Sequence, residues 1–245
     1  MLFQLIDIDT FILFYYNFTM NEYSYIEIYK DKNILAVQKN HGIYVIPDRK
    51  NTVTPLIDIL RHDYGEVYVT HRLDAGTGGL MIFARNKTAH RHISLQFEKS
   101  SVTKYYIAVT ENKIVPQSLM LPIAKSNYGK YSINFKSGKK AVTSFYNLSS
   151  NDKGALILAN PKTGRTHQIR VHIKALKAPL YQDFLYNKKV DDKRLTLQCF
   201  YMGFLNPANE KYISFTSNIT NFMLQYINML ELSEKSVYQY NYESK

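Results

Sequence analysis

The chain has 245 residues, 45% of them hydrophobic, which is enough to bury one large core or two intimate halves. Its single cysteine, Cys199, excludes an internal disulfide framework and cannot build a structural zinc site, and it suits a reducing compartment such as the cytoplasm. The net charge is +11, unevenly placed: residues 1–30 hold four acids and one base, leaving 30 bases and 16 acids to the rest, a balance that favours a polyanion, nucleic acid first among them.

In chain order, the apolar opening MLFQLIDIDTFILFYYNFTM carries Asp7 and Asp9 and lacks a basic leader, so it reads as neither a signal peptide nor a bilayer span. Met20 directly precedes NEYSYIEIYKDKNILAV, an ordinary strand opening, so residues 1–19 read as an extension outside the fold and 20–245 as one domain. Apolar or alternating runs at 33–39, 42–47, 66–70, 79–85, 102–110, 140–149, 154–159, 195–204 and 211–216 read as strands. Helices fit at 55–62, with Pro55 at a first helical position, and at 87–99, 166–177 and 218–231. Strands dominate and the order is irregular, which predicts an α+β fold with a mixed, largely antiparallel sheet, a few flanking helices and a central cleft. The 21 tyrosines and 13 phenylalanines could stack bases, but most read as core and strand residues.

Two stretches carry polar residues where the pattern does not ask for them. In VTHRLDAGTGGLMIFARN, residues 69–86, two apolar runs are separated by His71, Arg72, Asp74, Thr77 and three glycines. A carboxylate on a loop between two strands is aimed by rigid neighbours, although an Asp beside Gly is more often a turn cap. In NPKTGRTHQIRVHIKALK, residues 160–177, a helix capped by Thr166 puts Ile169, Ile173 and Leu176 on one face and Arg170, Lys174 and Lys177 on another. The cationic stripe is a solvated face or, more sharply, gives Arg170 a carboxylate or phosphate to hold, with Arg165 and His167 in the turn that enters the helix.

Together, HRLD at 71–74 followed by TGGLMIFA, KYYIAV at 104–109 and GRTHQIRVH at 164–172 resemble the ordered motifs of the RluA-type pseudouridine synthases. The likeness runs from about residue 26 to 216. It implies that uridine in ribosomal or transfer RNA is isomerised by cleaving the N-glycosidic bond and rejoining the base through carbon 5, a reaction without redox cofactor, nucleotide or metal. It also implies that Asp74 is the essential carboxylate, whether it attacks the sugar, attacks the base or assists base departure. Tyr106, in the K-x-Y-x-A strand, would stack on the flipped uracil and could take the carbon 5 proton. Arg170 would pair with Asp74, keep it ionised and orient it. His71 and Arg72 would serve RNA, the arginine helping to displace the flipped base.

Lys174, Lys177, Arg165 and His167 are the further RNA-contact candidates. His90, His92, His167 and His172 lack the Cys or acid cluster of a metal site and read as structural or RNA-facing. The chain departs from the family pattern in Ala75, Gly76, Thr77 and Gly78 after HRLD, in Lys39-Asn40 for Lys-Pro, in Gln182-Asp183 for Gly-Asp, and in Leu197-Gln198-Cys199 for Leu-His-Ala. About 25 residues before the catalytic fold are too few for an accessory RNA-binding domain, so affinity is expected from the basic body of a monomer. Two rival readings are a catalytically inactive RNA-binding protein of the same fold and a base-excising glycosidase, which would release free uracil.

Overall fold

The computed structural model describes residues 24–48, 52–187 and 192–243; the expected extension at 1–19 and the Met20 boundary lie outside them. Twelve strands are described: β1 (Tyr25–Lys30), β2 (Ile34–Lys39), β3 (Tyr68–Val69), β4 (Gly78–Ala84), β5 (Thr103–Thr110), β6 (Gln117–Met120), β7 (Ile123–Lys125), β8 (Tyr131–Ile133), β9 (Val142–Ser150), β10 (Ala155–Pro161), β11 (Leu197–Leu205) and β12 (Tyr212–Thr216). Among them lie α1 (Leu56–Tyr64), α2 (Lys87–Glu98), α3 (Gln168–Ala175), α4 (Asn221–Met229) and a short α5 (Lys235–Tyr238). Ten strands form one sheet in the order β1-β2-β4-β11-β5-β10-β9-β6, with β3 on β4 and β12 on β11; β7 and β8 form a separate hairpin. Every pairing is antiparallel except β4 with β11, where Gln198 and Cys199 face Gly78 and Gly79. This is the mixed, largely antiparallel α+β fold that the residue pattern implies.

The sheet is central because β4 and β10 are buried along their whole length and β11 for all but its last residue. Helices α1 and α2 cover the half built on β1, β2 and β4, where Leu56, Leu60, Ile93, Phe83 and Val37 share one core. Helix α4 closes the other half, its Met223, Tyr226 and Ile227 sharing a core with Tyr105, Ile107 and Leu158 of the sheet. Local chemistry sets the helix starts: Asn86 accepts from the Ala89 N–H at 2.9 Å to begin α2, and Thr220 accepts from Met223 to begin α4.

Two expectations fail for identifiable reasons. The 42–47 run (GIYVIP) is not a strand: the carbonyls of Tyr44 and Val45 accept the first free N–H groups of α1, from Leu56 and Ile57, so the segment is spent on capping a helix. Thr166 does not cap α3. The helix starts two residues later, behind His167, which takes the left-handed conformation with φ 57°, and Thr166 is left exposed. Strands β6, β7 and β8, all short and, apart from Ile123, exposed or half-buried, went unread in the sequence.

Candidate active site

The loop between β3 and β4 carries Asp74, and the three successive carbonyls of Asp74, Ala75 and Gly76 are all taken. Thr77 N–H donates to the Asp74 carbonyl at 3.0 Å and Gly42 N–H to that of Ala75 at 2.8 Å. Leu195 N–H donates to the Gly76 carbonyl at 2.8 Å, and the His41 ring lies 3.0 Å from the same oxygen. Lys39 is fully buried beneath the loop and donates to the carbonyls of Asn40, Ile43 and Ala75. Burial pulls its pKa down to about 7, against the opposing pull of Asp74. Gly79, the second residue of β4, has φ +103°, and a Cβ there would sit 2.1 Å from the Cys199 carbonyl. Only glycine allows β4 to approach β11 this closely while the loop keeps its shape.

The Asp74 carboxylate projects from this scaffold, 28% exposed, onto the first turn of α3. Arg170 Nη1 donates to its Oδ2 at 3.0 Å. The guanidinium is itself held from behind by Asp183, with Nε donating to Oδ2 at 2.8 Å and Nη2 to Oδ1 at 2.7 Å. It also lies 5.0 Å from the Tyr186 ring. Burial works against its charge, but the bonds to Asp183 outweigh that and keep it raised and cationic. His167 Nε2 stands 3.6 Å from the same Asp74 oxygen, while its Nδ1 is 2.9 Å from the Tyr186 hydroxyl. Burial lowers the His167 pKa against the pull of Asp74, so the neutral ring is favoured. The left-handed His167 turns the chain so that histidine and arginine reach one carboxylate from adjoining positions.

Asp74 lines a cavity of about 550 Å³ together with Arg72, Phe97, Lys104, Tyr106, Arg165 and His167, among others. A flipped nucleotide base fits within such a volume. Tyr106 lies mid-sheet, paired with Cys199 on β11 and Ala159 on β10. Burial first, then neighbouring Cys199 and Asp74, raise its pKa well above the ordinary phenol value. The ring therefore remains a neutral phenol, which supports stacking and disfavours a phenolate base. Tyr105 points the other way, into an aromatic cluster with Tyr201, Tyr240 and Tyr242.

The remaining sequence candidates separate into inward and outward groups. His71 is turned inward: its Nε2 accepts the Ile82 N–H at 3.0 Å, its ring stacks on Phe97, and burial drops its pKa to about 3. His172 is enclosed between Thr143 and the Leu121 carbonyl, and His90 meets the Val69 carbonyl. Arg72, Arg165, Lys174 and Lys177 are exposed. Arg165 is anchored at the cavity edge by donating from Nε to the Lys140 carbonyl at 3.0 Å.

Several site residues received no role from sequence alone. Asp183 was visible only as half of a departing Gln182-Asp183 pair, and its function depends on a chain reversal after α3. Gln168 is buried and ties the loop together, accepting from Thr163 and from Arg165 N–H and donating to the Val142 carbonyl and Thr143. Lys39 was visible only as a departure from Lys-Pro.

A family model described as RNA pseudouridylate synthase matches residues 33–175, well over half of the chain. The chain belongs to the RNA pseudouridylate synthase family. It is 30% identical over 200 residues to the uncharacterized RNA pseudouridine synthase MG209 of Mycoplasma genitalium, an alignment covering 77% of this chain and 64% of that protein. It thus spans just under two thirds of that relative's length. It is 31% identical over 195 residues to the dual-specificity RNA pseudouridine synthase RluA of Vibrio parahaemolyticus, covering 74% of this chain and 78% of the relative. The solved structure of human RNA pseudouridylate synthase domain containing 4 superposes with a TM-score of 0.74 at 21% identity, over 90% of this chain and 98% of that one, which shows the shared fold. Among the described residues, no helix is long and apolar enough to cross a membrane.

Proposed function

We propose that this chain is an RNA pseudouridine synthase, with Asp74, Tyr106 and Arg170 as its catalytic residues. The observation that carries the reading is Asp74 itself: a partly exposed carboxylate, held at 3.0 Å by a buried arginine, faces the same cavity as the half-buried Tyr106. A free surface aspartate would be disordered in direction, whereas this one is fixed by a guanidinium that Asp183 has already oriented. Carboxylates that act at a sugar carbon need this aim and a site shielded from water.

The division of labour follows from position. Arg170 pairs with Asp74 and directs it at the ribose. Tyr106 supplies the flat floor on which the uracil lies. Arg72 stands exposed at the cavity mouth, where it can fill the gap left by a flipped nucleotide. Arg165, Lys174 and Lys177, with the rest of the basic surface, hold the phosphates of a structured ribosomal or transfer RNA. We place the enzyme in the cytoplasm, acting as a monomer and without a cofactor. The names of similar proteins, RluA among them and the ribosomal large subunit pseudouridine synthase D of Zymomonas mobilis, support RNA as the substrate class.

The test is to map pseudouridine in total RNA from cells with and without the protein. The reading expects one or a few uridines that are modified only when the protein is present. An unchanged map, with purified protein inactive on the same RNA, leaves the inactive RNA-binding alternative; free uracil among the products would mark a glycosidase instead.

A further inference from the structure

The cavity lining holds one buried charged group to which the catalytic roles of Asp74, Tyr106 and Arg170 give no task. Lys104 lines it from β5, two residues before Tyr106 and on the same strand face. The residue is only 7% exposed. Among the described residues its ammonium donates no hydrogen bond, and no carboxylate lies within 4.0 Å of it. Its surroundings are the face of Phe97, 5.7 Å away, a second cation at Lys162, and the Cys199 thiol, which burial pushes up to about 12 and so keeps neutral. Burial also pulls the pKa of Lys104 down. With its stem buried and no counter-charge among the described residues, the ammonium opens onto the cavity, so its partner is sought in the ligand.

The order of groups along the cavity says which atom that partner is. The Asp74 loop enters β4 at Gly78, opposite Gln198, and farther along β11 Cys199 faces Tyr106 and Met202 faces Lys104. The groups therefore run Asp74, Tyr106, Lys104, the last two spaced by two strand residues or roughly 7 Å. A uracil lying on Tyr106 with its ribose carbon toward Asp74 turns its opposite edge, the carbon 4 carbonyl, toward Lys104. We propose that Lys104 donates a hydrogen bond to the carbon 4 oxygen of the target uracil and stabilises the negative charge the base carries once its bond to ribose is broken. This inference rests on the pseudouridine synthase reading.

The chemistry balances without a further reactant. When the bond between N1 and the anomeric carbon breaks, its electron pair stays on the base, as an anion spread over N1 and the two carbonyl oxygens. The ammonium keeps its proton and shares it with the carbon 4 oxygen. Carbon 5 then bonds to the anomeric carbon, loses its proton, and N1 takes one up. The same hydrogen bond selects the base. Cytosine presents an amino donor at carbon 4, and a donor facing an ammonium leaves both unpaired.

The test uses the full chain and a transcript of the RNA region in which mapping finds the modified uridine, made with uridine or with a single 4-thiouridine at that position. Sulfur is the weaker acceptor. For the wild type, the thio substrate should turn over about tenfold more slowly, as expected for the removal of one hydrogen bond. Lys104→Met should lower kcat about 100-fold on the uridine transcript, in the range expected for removal of one charge-stabilising donor. It should change RNA affinity less than threefold, keep Tm at or above the wild type, and show no further slowing on the thio substrate. Lys104→Arg should recover part of the rate, and Lys104→Gln serves if the Met variant fails to fold. Turnover by Lys104→Met within threefold of wild type, or the full wild-type thio effect in that variant, overturns the assignment. A wild-type chain that makes no pseudouridine overturns the activity itself, and this inference with it.

Discussion

The Asp74 loop and the β7–β8 arm lie on the same molecule under opposite constraints. The carbonyls of Asp74, Ala75 and Gly76 are claimed, Gly79 touches a neighbouring strand, and Lys39 is sealed beneath. From Asn112 to Asn151 the chain contains six lysines (Lys113, Lys125, Lys130, Lys136, Lys139 and Lys140) and no acid, and all six are exposed. Tyr128 and Phe135 there are 94% and 77% exposed, a display of rings that packing does not explain. One region is specified atom by atom; the other is specified only by charge and exposure. Substitutions in the first should therefore act on stability and rate, and substitutions in the second on affinity alone.

The largest structural effect is expected at Arg170. Arg170→Met leaves the buried Asp183 carboxylate with only its backbone donors from Leu185 and Tyr186, and should cost about 3 kcal/mol of stability, at the lower end for a broken buried pair. Chemical denaturation measures that cost, and turnover should fall with it. Retained stability would mean that the Asp183 bond contributes little. Gly79→Ala combines a forbidden φ with a Cβ clash against Cys199. It should cost at least about 1–3 kcal/mol, on the order of a strained non-glycine residue, read as a fall in Tm; an unchanged Tm would show that the two strands can part.

A smaller effect concerns acid. Burial holds the His41 pKa at about 4, between the Gly76 carbonyl and Thr220. The folded state then binds fewer protons than the unfolded state between about pH 4 and 6.5, so this histidine makes stability rise with pH across that window and fall on acidification. His71, with its pKa lowered to about 3, acts in the same direction. His41→Gln should flatten the pH dependence of Tm there, and an unaltered slope would reassign it to other groups.

The smallest effect on stability belongs to the arm. Replacing Lys130, Lys136, Lys139 and Lys140 with Gln should leave Tm within a degree or so, since surface changes are usually within about 0.5 kcal/mol. It should weaken RNA binding and reduce the salt slope by about one for each phosphate that is no longer neutralised. An unchanged salt dependence would move the RNA-binding face to the α3 side.

The same contrast explains what was legible in the sequence. The buried strands β2, β4, β5, β10 and β11 fall close to their apolar runs, because burial on both faces leaves a continuous signal. Arg170 and Asp74 stood out as candidates in GRTHQIR and HRLD, but pattern alone favoured a solvated face and a turn cap, and their pairing came from the resemblance of the ordered motifs. Strands β6 to β8 were not readable, since three- and four-residue strands that are exposed or half-buried apart from Ile123 leave no periodic pattern. Asp183 and Lys104 escaped for another reason. One gains its role from a partner that precedes it by 13 residues, through a chain reversal, and the other from the lack of any partner, which only a folded chain reveals. The GIYVIP run looked like a strand because backbone carbonyls that cap a distant helix leave no trace in side-chain pattern.

The measurement that bears most directly on the central claim is the turnover of Asp74→Asn. The substitution keeps the size of the side chain and removes its charge. Arg170 retains its two bonds to Asp183, so the fold should stay intact, with RNA affinity close to that of the wild type. With RNA labelled by tritium at carbon 5 of uridine, the wild type should release the label and leave pseudouridine in the digested RNA, while Asp74→Asn should release none above background. Release of label at the wild-type rate by the folded Asn variant would show that Asp74 is only a turn residue and that the chemistry lies elsewhere.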